Sequence, residues 1–366
     1  MYAYFEELTS ELRVVALSVI VAFVVTALLI WLIRPLALRL GLVDHPNHRK
    51  QHTGSVPLIG GIAMYLGFTF AVLTLNISLR DYRSFLAGAG LLIIIGLLDD
   101  FHELTPKKKF TAQIVAVVLM ISWGELIIWQ LGPIIPGADF NLQLGNWNWV
   151  FTLVGSLAII NAINMSDGLD GLAGGYVLIA FTAMLSLSIM SASIFDTRLI
   201  ILLIATLVAF LLFNMRMPWR EIAWVFMGDA GSMFLGFAVI WFIISLTQAD
   251  EKIMKPVTAL WIVALPLFDM VGVSLRRLLK GKPVFKADRS HFHHIIQVAG
   301  YSSNKTTFVL LVVASCVAVI GVVASEYYQV PDSIMFISFL VLFFLYFMGM
   351  QYAWKVMKVI SKKHGA

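Results

Sequence analysis

The sequence predicts an all-α integral membrane protein, a polytopic bundle of about eleven transmembrane helices forming one domain over residues 1–366. Hydrophobic residues make up 60% of the chain and charged residues 13%, whereas a soluble domain is roughly half apolar and a quarter charged. Many apolar runs reach the roughly 18 residues that a helix needs to cross a bilayer. Runs of this length exclude a large soluble core as the explanation of the composition.

The spans are predicted at about 12–33, 56–75, 84–99, 110–131, 149–165, 172–193, 198–215, 230–248, 256–279, 305–325 and 332–356. Most of the 26 lysines and arginines then fall in loops on one side, which is the cytoplasmic side. The N-terminus is therefore expected outside and the C-terminus inside, which requires an odd number of spans. The same distribution accounts for the net charge of +5 without a nucleic-acid partner.

The N-terminal segment and the outer loops are short and show few candidate functional residues. The acidic opening segment lacks the basic start of a cleavable signal peptide, so the first apolar run should remain as a helix. Among the outer loops only 132–148 shows a pattern, in which Pro and Gly punctuate an alternation at Phe140, Leu142 and Leu144. This pattern predicts a small periplasmic β-hairpin, with Trp147 and Trp149 at the level of the lipid headgroups.

The cytoplasmic loops, at about 34–56, 99–110, 161–172, 214–230 and 280–304, hold the candidate functional residues. In the third of them two carboxylates, Asp167 and Asp170, and two amides, Asn161 and Asn164, lie between long apolar runs. Ionisable groups beside membrane-depth sequence mark a functional site by default. The alternative is a polar loop that only joins two helices.

The second loop places Asp99 and Asp100 at the inner end of a helix, with Glu103 one helical turn further on. Abutting carboxylates repel one another, and a bound cation stabilises them. Mg²⁺ typically takes one or two carboxylates together with substrate phosphates. Lys107 and Lys109 follow and suit phosphate oxygens, although the acidic pair could also be a solvated helix end.

The fourth and fifth loops add an aspartate and a histidine cluster. Asp229 lies between glycines before an apolar helix, where it could cap that helix or bind a metal. Three histidines follow several lysines and arginines, and this positive surrounding favours an anion over a transition metal. These histidines are His291, His293 and His294. Asp269, within the ninth span, is expected to be structural or to pair with Arg276 or Arg277.

Carboxylates and cations thus meet on one face of the membrane, which suits phosphoryl transfer, since metal and cations neutralise the developing charge there. The residues alone predict a membrane-embedded, Mg²⁺-dependent phosphotransferase that acts on a lipid phosphate. An ion-coupled transporter is the main rival, but it predicts ionisable residues near the middle of the spans. A lipid-binding module is a further alternative, and it does not require carboxylates beside lysines.

Four ordered motifs then resemble a known family. LDDFHELTPKKK, NAINMSDGLDGLAGG, VFMGDAGS and DRSHFHH are similar to the motifs of the polyprenyl-phosphate N-acetylhexosamine-1-phosphate transferases. Among these, the chain most resembles the bacterial undecaprenyl-phosphate GlcNAc-1-phosphate transferases that start enterobacterial common antigen and many O-antigens. The resemblance implies transfer of GlcNAc-1-phosphate from UDP-GlcNAc to undecaprenyl phosphate, release of UMP, and Mg²⁺ or Mn²⁺ as cofactor. It implies a multi-pass protein of the bacterial inner membrane with a cytoplasmic active site, and it leaves a homodimer open.

The resemblance also implies roles for individual residues. Catalytic roles fall on Asp99, Asp100, Asp167 and His291, and metal binding falls on Asp229 and Asn164. Binding of the nucleotide and diphosphate falls on Asp170, His293, His294 and Arg289. Binding of the lipid phosphate falls on Lys50, Lys107 and Lys109.

Two departures from the family pattern bear on these roles. Glu103 stands where the pattern has a third aspartate, so we do not expect it to be a ligand. The histidine motif is interrupted by Phe292, unlike the unbroken triple histidine of the muramoyl-pentapeptide transferases. UDP-GalNAc and UDP-MurNAc-pentapeptide remain alternative donors. Direct attack by the lipid phosphate is favoured over an aspartyl-phosphate intermediate, because phosphoryl transfer needs positioning more than a protein nucleophile.

Overall fold

A computed structural model describes residues 2–44, 54–75, 77–80, 82–138, 140–191, 194–217, 220, 222–249, 252–283 and 291–363. The helices are α1 (Tyr2–Leu40), α2 (Gly60–Thr74), α3 (Arg83–His102), α4 (Pro106–Gly124), α5 (Asn148–Ser166), α6 (Leu172–Met190), α7 (Ile194–Asn214), α8 (Gly228–Gln248), α9 (Pro256–Ile262), α10 (Ala264–Leu278), α11 (Phe292–Val298), α12 (Ser303–Val322) and α13 (Asp332–Lys363). Two short antiparallel strands are β1 (Val43–Asp44) and β2 (Val56–Pro57). The chain is therefore mostly helical, as predicted.

Eight helices in the described part of the chain are long and apolar enough to cross a membrane. A ninth span is formed if α9 and α10, which meet at a bend of 78°, are taken together. The polytopic class is confirmed, but the count of eleven is not. The two remaining predicted spans contain α2, which is only 15 residues long, and α4, whose first turn carries three lysines.

The centre of the bundle is α8, which is apolar and buried along nearly its whole length, as expected for a helix surrounded by protein. It packs against α2, α3, α5 and α6. Two glycines permit the closest of these approaches, because a Cβ atom at Gly61 or Gly96 would collide with the backbone of Ala230 or Gly231. This packing brings the first turn of α8 against the inner end of α3.

The loop between α1 and α2 contains the β1–β2 ladder and is bonded to the segment that enters α8. Val43 pairs with Pro57 and Asp44 with Val56. The carbonyl of Pro57 accepts from the N–H of Phe226 at 2.8 Å, and the carbonyl of Phe226 accepts from the N–H of Gly60 at 3.0 Å. These bonds fix the chain that enters α8, and the sequence did not predict them.

The predicted hairpin at 132–148 is not confirmed. Residues 129–132 and 142–144 exchange three backbone hydrogen bonds, but the only pairing between them is an isolated antiparallel bridge at Gln130 and Gln143. A 3₁₀ turn, Gly145–Trp147, follows and leads into α5. The two tryptophans expected at the headgroup level, Trp147 and Trp149, are both exposed.

Candidate active site

Three carboxylates meet where α3 ends and α8 begins. Asp99 and Asp100 occupy the last turn of α3, and Asp229 occupies the first turn of α8. One oxygen from each lies within 4.8 Å of the other two. The structure therefore brings together three candidate residues that lie in two separate predicted loops.

Asp100 holds the start of α8. Its Oδ1 accepts from the backbone N–H of Asp229 at 2.9 Å, and its Oδ2 accepts from the N–H of Ala230 at 3.4 Å. The first N–H groups of a helix have no partner within the helix, so this carboxylate satisfies two of them and complements the positive end of the helix dipole. Gly228 has a positive φ of 72° and lies so close to Asp100 that a side chain would displace the carboxylate.

Asp229 does not cap its own helix, contrary to one of the two sequence interpretations. Its Oδ2 accepts from Lys109 Nζ at 2.9 Å, and its Oδ1 accepts from Asn164 Nδ2 at 2.7 Å. Asn164 Nδ2 also lies 2.8 Å from the hydroxyl of Ser232. The side chain of Asp229 therefore joins α4, α5 and α8 at one point.

Lys109 bridges two of the three acids. Its Nζ lies 3.0 Å from Asp99 Oδ2 and 2.9 Å from Asp229 Oδ2, while Asp99 Oδ1 accepts from the N–H of Leu104 at 2.7 Å. Burial lowers the pKa of the Lys109 ammonium, but the charges and hydrogen bonds of Asp229 and Asp99 outweigh this effect and raise the pKa above its ordinary value. The ammonium therefore stays charged between the carboxylates.

Among the described residues of this region, Glu103 and Lys107 lie outside the cluster. Glu103 does not share a face with the acidic pair: it ends α3 with a φ of +46° and is exposed. A left-handed residue leaves the helical path, so the spacing of one turn no longer holds. Lys107 is exposed at the start of α4, and Lys50 lies outside the described residues.

A second group forms around the turn between α5 and α6. Asp170 makes an ion pair with Arg216, through Oδ2 and Nε. Asn214 accepts from the N–H of Gly171 at 2.7 Å and donates to the carbonyl of Val225 at 2.9 Å. Asp167 ends α5 and is exposed. The turn between α5 and α6 is therefore joined to the segment that follows α7 by two contacts, one at Asp170 and one at Gly171.

The histidine cluster lies at the start of α11. The rings of His291 and His293 stack with centroids 5.7 Å apart and planes within 10°, and the ring of His294 lies 4.2 Å from that of His293. Burial, together with the neighbouring His294, lowers the pKa of His293 to about 3. This imidazole is therefore neutral at physiological pH. Arg289, which precedes the cluster, lies outside the described residues.

The histidines face the α5–α6 turn. His293 Nε2 lies where a side chain at Gly168 would be placed, so the imidazole rests on the glycine itself. Gly168 is four residues from Asn164, which contacts Asp229. Four residues of chain span at most about 14 Å. The acidic cluster and the histidine cluster therefore border one region at one end of the bundle.

Asp269 pairs with a histidine of this cluster. Its Oδ2 lies 2.9 Å from His291 Nδ1, and its Oδ1 accepts from the N–H of Phe292 at 2.9 Å and from the Tyr346 hydroxyl at 3.0 Å. The sequence interpretation proposed a structural role or a pairing with Arg276 or Arg277, and it missed this contact. The sequence did contain an indication that Asp269 is functional, because a carboxylate within an apolar span by default marks a functional site.

The acidic cluster fits a hard divalent cation. Mg²⁺ binds oxygen ligands at 2.0–2.1 Å, so two ligands of one ion lie at most about 4.2 Å apart. The three carboxylate oxygens lie within 4.8 Å of one another, which is within the reach of small side-chain rotations. The Lys109 ammonium now stands between Asp99 and Asp229, which indicates that this position is favourable for positive charge.

Comparison with known proteins identifies the family. Undecaprenyl-phosphate alpha-N-acetylglucosaminyl 1-phosphate transferases are similar to the chain over nearly its full length. That of Yersinia pestis is 36% identical over 96% of this chain and 96% of its own. That of Escherichia coli K12 is 37% identical over 96% and 95%, and that of Haemophilus influenzae is 38% identical over 94% and 97%. The chain belongs to the polyprenyl-phosphate N-acetylhexosamine-1-phosphate transferases. Glycosyl transferase family 4 matches residues 82–247.

The matched region of this transferase, 82–247, contains both aspartates of α3, the α5–α6 turn and the first turn of α8. The histidine cluster and Asp269 lie beyond it, in the part covered by the full-length relatives. The sequence interpretation missed Arg216, Asn214 and Ser232. Arg216 and Ser232 contact the predicted site residues Asp170 and Asn164, and Asn214 holds the α5–α6 turn at Gly171. No sequence spacing identifies these partners, because each contact crosses between different helices or loops.

Proposed function

We propose that this transferase moves GlcNAc-1-phosphate from UDP-GlcNAc to undecaprenyl phosphate and releases undecaprenyl-diphospho-GlcNAc and UMP. The names of the full-length relatives, undecaprenyl-phosphate alpha-N-acetylglucosaminyl 1-phosphate transferases, support the donor and the acceptor. The single observation that carries the proposal is the meeting of Asp99, Asp100 and Asp229 with Lys109. Carboxylates that suit a hard cation, next to a fixed ammonium, provide the charges that phosphoryl transfer requires.

Mg²⁺ is the proposed cofactor, with Mn²⁺ as a substitute, and the proposed ligands are Asp229, Asp99 and Asp100, with Asn164 beside them. A divalent ion there would neutralise charge on the diphosphate of the donor. The bonds from Asp100 to the start of α8 support a role in which this carboxylate fixes the position of Asp229. Asn164 orients Asp229 through its hydrogen bond.

In the proposed reaction an oxygen of the lipid phosphate attacks the β-phosphorus of UDP-GlcNAc. A new phosphorus–oxygen bond forms, the bond between the β-phosphorus and the bridging oxygen breaks, and UMP leaves with that oxygen. Lys109 stabilises the charge on the phosphate oxygens, with Lys107 and Lys50 as further cations near the lipid phosphate. Direct attack is preferred to an aspartyl-phosphate intermediate at Asp99 or Asp100, because phosphoryl transfer needs positioning more than a protein nucleophile.

The turn between α5 and α6 and the histidine cluster are the proposed site for the nucleotide and the diphosphate. His291 is proposed to act on the reacting phosphates together with Asp167. The nucleotide and diphosphate contacts are assigned to Asp170, His293, His294 and Arg289. The stacking of the neutral His293 on His291 and its contact with Gly168 support this placement, since a neutral imidazole both donates and accepts hydrogen bonds.

The proposed topology has eleven spans in the bacterial inner membrane, with the N-terminus in the periplasm and the C-terminus and active site in the cytoplasm. The asymmetry of lysine and arginine between the two sets of loops supports this orientation. It requires that α2 and α4 cross the membrane together with the eight long helices and the bent pair. A cysteine-labelling map of the loops in intact cells tests it.

The reaction is tested with purified protein, UDP-GlcNAc, undecaprenyl phosphate and Mg²⁺, by measuring UMP and the lipid-linked product. We expect product from the wild type and none with EDTA or in Asp229→Asn. Asp196→Asn is a matched control, since Asp196 is a partly buried carboxylate that contacts Ser245 about 27 Å along α7 from Asn214. It should retain the wild-type rate.

The outcomes separate the alternatives. Turnover of UDP-GalNAc or UDP-MurNAc-pentapeptide in place of UDP-GlcNAc would support the proposed type of reaction but show that the proposed donor is wrong. Exchange of labelled UMP into UDP-GlcNAc without a lipid acceptor would replace direct attack by a covalent intermediate. No turnover of any donor by folded protein, together with uptake of UDP-GlcNAc into sealed vesicles, would replace the transferase by a transporter.

A further inference from the structure

The carboxylate of Asp269 accepts three hydrogen bonds from two parts of the chain, the start of α11 and α13. It lies in α10, shortly after the 78° bend that follows α9. The donors are the Nδ1 side of His291, the backbone N–H of Phe292 and the hydroxyl of Tyr346, all within 2.9–3.0 Å. A buried carboxylate needs such donors to stay ionised, and this one has them on both oxygens.

This arrangement determines which nitrogen of His291 carries a proton. Because both oxygens of Asp269 act as acceptors, Nδ1 of His291 must be the donor in their bond. The imidazole therefore keeps its hydrogen on Nδ1, and Nε2 is left for a ligand or for proton transfer. Histidines that work on a substrate or a metal are commonly fixed by a carboxylate in this way.

The ring is also fixed in orientation. The His291 side chain is only 10% exposed, and its face is stacked on the ring of His293. Phe292 packs edge-on against Tyr346, with centroids 5.5 Å apart, and Tyr346 lies on α13. Through Tyr346, α13 therefore fixes the position of Asp269, which in turn fixes the position of His291.

We propose that Asp269 is a positioning residue for His291, with Tyr346 as its support, and that it selects the Nδ1–H tautomer and presents Nε2 to the diphosphate of the donor. This inference rests on the proposed function of the site. It predicts that the contribution of Asp269 to turnover passes through His291. If Asp269 only anchored α10 to α13, its substitution would have the same effect whether or not His291 is present.

The first test is a double-mutant cycle on UMP release. Asp269→Asn keeps the size of the side chain, but its amide can donate to Nδ1 and so favours the other tautomer. We expect kcat to fall by roughly 10–100-fold, as for other residues that orient a functional histidine, with KM for UDP-GlcNAc changed less than about two-fold. In the His291→Ala background, the same substitution should change the residual kcat less than about two-fold.

Tyr346→Phe provides a milder variant in case Asp269→Asn does not fold. It keeps the ring contacts and removes one donor from Asp269, so we expect a fall in kcat of roughly 3–10-fold, corresponding to one hydrogen bond, that again disappears in the His291→Ala background. Asp196→Asn is the matched control and should leave kcat unchanged in both backgrounds. Losses from Asp269→Asn or Tyr346→Phe that persist in His291→Ala would overturn the proposal.

The second test does not depend on activity. Side-chain ¹⁵N spectra of histidine-labelled protein at pH 8, assigned by comparison with His291→Ala, report the tautomer directly. We expect Nδ1–H in the wild type and in Asp196→Asn, and Nε2–H in Asp269→Asn. An unchanged tautomer in Asp269→Asn would refute the proposal even if the enzyme is active. If the wild type releases no UMP, the proposed function fails, while the spectra still decide the role of Asp269.

Discussion

His293 should make the protein sensitive to acid, and the size of the effect follows from its burial. Its side chain is buried at the start of α11, and its pKa is lowered from 6.5 to about 3. Between these two values the unfolded chain binds a proton that the folded chain does not, so stability is lost as the pH falls through 6.5. From pH 7.5 to pH 5 the loss is about 2 kcal/mol for this one group.

The assay is equilibrium unfolding in detergent micelles at pH 7.5 and pH 5, followed by tryptophan fluorescence. Other groups also titrate in this range, so the informative quantity is the difference between the wild type and His293→Gln. We expect the wild type to lose about 2 kcal/mol more than the variant. The exposed His102 provides the control, and His102→Gln should lose as much as the wild type. Equal losses in the wild type and His293→Gln would refute the reasoning.

Three further predictions concern packing and charge. Gly96→Ala should lower the free energy of unfolding by about 1–3 kcal/mol and reduce UMP release, because the new Cβ meets the backbone of Ala230. The control Gly155→Ala has open space at its Cβ and should lower neither quantity; thermal unfolding and turnover of the two variants check this. Lys109→Met should have a lower melting temperature than the wild type in EDTA, because Asp99 and Asp229 then face each other without the ammonium. Addition of Mg²⁺ should raise the melting temperature of the variant more than that of the wild type, and an equal increase would contradict this. Arg216→Gln should raise KM for UDP-GlcNAc about ten-fold with little change in kcat, because Asp170 loses its ion pair, while the exposed Arg80→Gln should leave both constants unchanged.

Much of the architecture was available from the sequence, since apolar run length is a local property of the chain. A helix needs no distant partner to satisfy its backbone in a bilayer, so a long apolar run is a helix wherever it packs. The count of spans was less certain, because α2 has only 15 residues and three lysines occupy the first turn of α4. The hairpin pattern at 132–148 failed to give two strands, since cross-strand pairing depends on partners as well as on alternation.

The candidate residues of the site were also largely available, but their partners were not. The sequence alone placed Asp99, Asp100 and Asp229 on the same side of the membrane, and the resemblance to a transferase family gave them roles. The exclusion of Glu103 required the structure, because the left-handed end of α3 interrupts the helical spacing on which the grouping with Asp99 relied.

The sequence by itself determined the class of the protein and the segments that hold its candidate site, and its motifs indicated the family to which it belongs. Only the tertiary structure decided that Lys109 stands between Asp99 and Asp229, and that Asp269 holds His291. These contacts join residues 10 to 120 positions apart. They depend on how closely α3, α4 and α8 approach and on the bend before α10, which are results of packing between helices and cannot be read from the pattern within any one of them.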